Sequence, residues 1–143
     1  MTRRPGSPAD SPGFLLWRVT HDWQRAVTAA LAPLDLTHVQ FVLLACAGWL
    51  TDQGLTPNQQ DLAHEAGTDI KMTSQVLKTL ESKGLLTRDP SPTDARAKTI
   101  KPTRAGTRLT RQALTAVQAA DEAFFAPVSI PHLQKTLTHL ANP

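Results

Sequence analysis

Five side chains in a short polar stretch, Lys71, Thr73, Ser74, Gln75 and Lys78, combine hydrogen-bonding groups with positive charge, and no acid lies between them. At helical spacing Met72, Val76, Leu77 and Leu80 form an apolar stripe, and the five polar residues fall on the other face. Such a face suits the edges and backbone of duplex DNA. A glutamine amide can pair with adenine through two hydrogen bonds, and short hydroxyls reach bases or phosphates. Lysines neutralise phosphates. A second group, Asp94, Arg96 and Lys98, follows in and after the turn-rich stretch Asp89-Pro-Ser-Pro-Thr-Asp-Ala-Arg96. An arginine at the tip of such a loop suits a narrow A·T-rich minor groove, where negative potential is concentrated.

The charge distribution points the same way. The 143 residues carry 15 Lys and Arg against 12 Asp and Glu, a net charge of only +3. Yet the stretch from Lys71 to Arg111 holds ten basic residues and only three acids, Glu81, Asp89 and Asp94. The rest of the chain is net acidic, so a polyanion is expected to meet this one segment. Other chemistries lack a constellation. The single cysteine, Cys46, gives neither a disulfide framework nor a cysteine-rich zinc site, and it reads as a small hydrophobe inside an apolar helix. The five histidines show no close metal spacing. No Ser/His/Asp order, glycine-rich phosphate loop or carboxylate pair suggests an enzyme, and no cofactor or metal is expected. The longest apolar run, Phe41 to Leu50, falls short of the roughly 20 residues that span a bilayer. Residues 1–13 have no apolar core behind their arginines, so a secretory signal is not expected and a cytoplasmic protein is.

The elements that must position these residues follow from periodicity and punctuation. Residues 1–13, with three prolines and two glycines, read as a disordered arm. A first helix runs from Phe14 to Pro33 on Leu16, Val19, Trp23, Val27 and Ala30. Thr37 and Gln40 form a capping box for a second helix that is apolar almost all round and belongs at the centre of the fold. Thr56-Pro57 opens a short third helix to Ala66, and Thr68 or Asp69 caps a fourth, which ends near Lys83 before Gly84. Two strand-like runs follow, Leu85–Arg88 and Lys98–Lys101. Thr103 caps a long helix to Phe125, and Ser129 caps a last one to Leu140. Helix, turn, helix and a basic hairpin make a winged helix-turn-helix. The expected class is mostly α, with a small winged lobe.

In these residues the chain resembles the multiple-antibiotic-resistance-regulator (MarR) family. Asp94-Ala-Arg96-Ala97-Lys98 followed by Thr103-Arg-Ala-Gly106 is similar to the family's wing signature. Leu80-Glu-Ser-Lys-Gly-Leu85 is similar to the end of its recognition helix, and Leu36-Thr37 with Gln40 and Leu43-Leu44 to the opening of its second helix. The chain departs from the pattern at Pro102, where the family usually has Leu, and at Gln75, where Arg is common. The resemblance implies a homodimeric DNA-binding regulator, most simply a repressor acting on an imperfect palindrome. Residues 14–36 and 104–143 would form the dimerisation helices and 37–103 the DNA-binding lobe. Arg96 would be the wing arginine, with Asp94 orienting it. The resemblance also implies a small aromatic effector held between the dimer helices and the winged lobe. Trp17 and His21, four residues apart on the first helix, and His38 across the following turn are candidates to line that pocket. Simple packing of Trp17 and His21 in the dimer interface is the alternative. The competing function is a winged-helix module that binds protein and not DNA; an acidic or apolar reading face would favour it.

Overall fold

The computed structural model describes residues 6–91, 93–94 and 97–142. In chain order its elements are α1 (Pro12–Leu31), α2 (His38–Asp52), α3 (Gln59–Ala66), α4 (Ile70–Ser82), β1 (Leu86–Pro90), β2 (Lys98–Pro102), α5 (Arg104–Phe125) and α6 (Ile130–Ala141). The fold is mostly α with one antiparallel hairpin, in which Leu86 pairs with Pro102 and Pro90 with Lys98. Pro102 ends β2, as a residue without an N–H should.

Local chemistry explains most boundaries. The Thr37 hydroxyl accepts the Gln40 amide at 3.2 Å, and the Gln40 side chain accepts the Thr37 N–H at 3.1 Å. Asp69 caps α4 by accepting the amides of Lys71 and Met72. Gly84 sits at φ 73°, in the left-handed region that glycine enters without a Cβ penalty. Two starts differ from expectation. Asn58, not Thr56, caps α3, because Asn58 and Asp61 exchange side chain-to-backbone hydrogen bonds at 2.9 Å in their own capping box. The described part of the expected disordered arm is ordered in form: Pro8–Asp10 make a 3-10 turn capped by Ser7, and Ser11 starts α1 at Pro12.

The core forms around α2, which packs against α1, α3, α4, α5 and β2. Leu43, Leu44 and Ala47 on α2 are fully buried with Val27, Leu31, Leu62, Leu77, Leu80, Leu86 and Ile100. Each fully buried leucine contributes on the order of 1.5–3 kcal/mol. The hairpin is fastened at both ends. Ile100 N–H donates to the Pro57 carbonyl at 2.8 Å, joining β2 to the entry of α3. At the other end the Thr103 hydroxyl donates to the Gly84 carbonyl at 2.7 Å and accepts the Gly106 amide at 3.0 Å. A Cβ on Gly106 would stand 1.9 Å from the Leu85 carbonyl oxygen, so only glycine lets α5 approach the base of the hairpin this closely.

α1 and α5 pack along each other, whereas α6 has no buried residue. Phe14, Leu16, Trp17 and Val19 on α1, with Ile130, Leu137 and Leu140 on α6, leave large apolar side chains exposed.

Candidate nucleic-acid interface and adjoining crevices

α4 presents Lys71, Gln75 and Lys78 to solvent, with Ser74 half-buried between them. The Asp69 carboxylate at its start is occupied by the cap, and the Glu81 carboxylate near its end is held by Arg88. The outward face is therefore rich in donors and cations.

Thr73 corrects the expected face. It is completely buried on the inner side of α4, and its hydroxyl donates to the Asp69 carbonyl at 2.8 Å. Its one hydrogen is thereby used, so the Thr68 hydroxyl, 2.7 Å away, donates to it. This paired threonine cannot reach a base. Met72, expected inside, is partly exposed instead. The stripe is rotated because Thr73, Leu77 and Leu80 follow the i, i+4, i+7 row, and a threonine whose hydroxyl is satisfied locally can occupy it.

The hairpin lies beside this face. A crevice of about 510 Å³ is lined by Asn58, Gln59, Ile70, Arg88, Asp94 and Lys98, among others, so the wing meets the start of α4. Gln59 Nε2 donates to the Ile70 carbonyl at 3.3 Å and braces the junction. Arg88 donates to Glu81 through Nε at 3.3 Å and Nη2 at 3.2 Å, tying β1 to α4. That bond holds the Glu81 carboxyl below the usual carboxylate range. Arg88 is thus a structural cation. Asp94 and Lys98 are exposed. Arg96 lies outside the described residues.

Of the expected effector residues, Trp17 and His21 lie together and His38 lies apart from them. The Trp17 and His21 rings touch with centres 4.2 Å apart and planes tilted by 46°, and His21 Nδ1 donates to the Trp17 carbonyl at 2.7 Å, but both are exposed. His38 packs instead against Trp23, ring centres 5.0 Å apart. Trp23 Nε1 in turn donates to Asp121 on α5 at 2.8 Å. Burial lowers the pKa of His38, and the Asp121 charge opposes that shift. Nothing in the spacing of His38 distinguished Trp23 from Trp17 as its neighbour. The choice depends on how α1 crosses α2.

The larger crevice lies elsewhere. About 650 Å³ opens between α2, α5 and β2, with Cys46, Trp49, Pro102 and Leu114 in its walls. Burial, and to a lesser degree Glu65, push the Cys46 thiol up, which keeps it protonated and unreactive. A neighbouring depression of about 370 Å³ continues along α5 past Arg104, Arg108 and Arg111. The sequence showed these arginines only as part of the basic segment; their i, i+4, i+7 spacing was the available signal.

The profile of the MarR family matches residues 36–98, the span from the entry of α2 to the start of β2. The HTH-type transcriptional regulator YdcH of Bacillus subtilis is 43% identical over 137 residues, covering 92% of this chain and 93% of that protein. The HTH-type transcriptional repressor Rv2887 of Mycobacterium tuberculosis is 32% identical over 127 residues, 88% of each. Its structure with salicylic acid superposes with a TM-score of 0.67 at 30% identity, covering 92% of this chain and 94% of that one. CouR of Rhodococcus jostii RHA1, solved with bound p-coumaroyl-CoA, gives a TM-score of 0.84 at 31% identity over 96% of both chains. With the winged helix-turn-helix in place and relatives matched along nearly its whole length, the chain belongs to the MarR family.

Proposed function

We propose that this protein is a homodimeric, sequence-specific DNA-binding transcriptional repressor, released from its operator by a small aromatic effector. It acts by binding and not by catalysis. The carrying observation is the outward face of α4, with Lys71, Ser74, Gln75 and Lys78 beside a basic hairpin. In this reading Gln75 and Ser74 meet base edges, while Lys71, Lys78 and Lys98 meet phosphates. Arg96 enters the flanking minor groove, with Asp94 orienting it. Residues 14–36 and 104–143 carry the dimer, and 37–103 carry the DNA-binding lobe. Such a role is carried out in the cytoplasm, and among the described residues no single helix is long and apolar enough to cross a membrane.

The effector reading is supported by two relatives, one solved with salicylic acid and one with p-coumaroyl-CoA. The crevice between α2, α5 and β2 offers the apolar volume such a ring needs. We assign the effector there and not to Trp17, His21 and His38.

The test is selection of duplexes from a random pool by the purified protein, followed by titration at several salt concentrations. The selected sites should be imperfect palindromes with half-sites about 34–36 Å apart. Log affinity should fall linearly with log salt as phosphate counterions are released. Failure to enrich any duplex, or a flat salt response, would support the protein-binding alternative.

A further inference from the structure

The apolar crevice and the basic depression are one continuous groove, since both are lined by Pro102, Thr107 and Arg111. Its two ends differ in chemistry. The walls of the apolar end carry two cations, Lys101 and Arg111, and two acids, Asp52 and Glu65, so their formal charges sum to zero and a lone carboxylate gains little net attraction there. A neutral acyl group with a ring is better suited to that end. At the other end Arg104 and Arg108 join Arg111 on one face of α5, and no acid lines that depression. Among the described residues none of the three arginines pairs with a carboxylate. Like charges at this spacing repel each other along a helix, so the row does not stabilise α5 by itself. It spans roughly 10 Å at 1.5 Å per residue, more than one carboxylate can cover and suited to several phosphates.

Resting on the effector reading above, we propose that the groove takes an aromatic acyl thioester on a phosphorylated carrier of the coenzyme A type. The acyl group lies between Trp49 and Leu114, and the carrier's phosphates lie on Arg104, Arg108 and Arg111. The free aromatic acid fills only the apolar end and binds weakly.

The test is calorimetry on the full-length protein without DNA, using p-coumaroyl-CoA, p-coumaric acid and coenzyme A as probes. The thioester should bind at least tenfold more tightly than either fragment. Arg104→Gln with Arg108→Gln should weaken the thioester at least tenfold while leaving the free acid within twofold. Circular dichroism should show the exposed double variant folded. Equal affinity for acid and thioester would overturn the proposal. So would a double variant that keeps thioester affinity while losing DNA affinity, since the arginines would then serve the operator backbone. Because binding is read without DNA, failure here leaves the repressor reading standing, and a protein that binds the thioester but selects no duplex would overturn only the latter.

Discussion

Thr73 and Gln75 are two residues apart on α4 and do opposite work. Thr73 faces the core with its hydroxyl satisfied, whereas Gln75 faces solvent. Thr73→Val keeps the shape but strands the Thr68 hydroxyl, so stability should fall by about 1–3 kcal/mol. In thermal unfolding this appears as a lowered midpoint, with the preferred operator sequence unchanged. Gln75→Ala should leave the midpoint in place and relax selectivity at one or two base pairs, costing roughly 1–3 kcal/mol at those positions. The reverse pattern would exchange their roles. His38 has a different signature. Its folded pKa lies below the ordinary 6.5 because burial against Trp23 disfavours the charged ring. The unfolded chain therefore takes up the proton first as pH falls. Stability is unaffected by His38 above that value and declines below it, until the folded form is protonated too. Melting curves from about pH 7.5 to pH 5 should fall less steeply for His38→Gln than for the parent protein, on either side of the ordinary histidine pKa. Parallel curves would remove His38 from the acid response.

At the scale of elements, the hairpin is useful only if it is held rigidly against α4. Three fastenings do this: Arg88 on Glu81, Ile100 on Pro57, and the Thr103–Gly106 turn on the Gly84–Leu85 backbone. The third has no slack, since the atom that a Gly106 side chain would strike is backbone and cannot rotate away. Gly106→Ala should cost about 1–3 kcal/mol or more through overpacking. It should also weaken operator binding in the folded fraction by displacing the wing. An unfolding midpoint equal to that of the parent would show that α5 can shift without loss. Thr107, the next residue on α5, lines the groove between α2, α5 and β2, so a ligand seated there is expected to bear on wing position.

For the whole molecule, the exposed apolar residues at the start of α1 and along α6 mark surfaces that one chain cannot bury. They lie outside 37–103, on the helices assigned to the dimer. Deleting 129–143 removes Ile130, Leu137 and Leu140 and uncovers the neighbouring face of α5. Sedimentation should then show monomer or aggregate in place of a dimer, and the paired half-site requirement in DNA selection should disappear. A clean dimer after the deletion would move the interface elsewhere.

The sequence by itself determined the order and type of the elements, because caps, glycines and apolar periodicity act within a few residues. Thr37 with Gln40, Asp69, Gly84 and Thr103 each terminate or start a helix through bonds that reach no more than one turn. It also determined the basic segment and the family signature in the wing. Only the tertiary structure decided which way α4 is turned, because Met72 and Thr73 are adjacent and helical periodicity alone does not rank a satisfied hydroxyl against a thioether. Only the crossing of α1 over α2 decided that His38 meets Trp23 and not Trp17. The groove between α2, α5 and β2 is likewise invisible in one dimension: its walls come from segments far apart in the chain, and the same packing that closes the core leaves that space open.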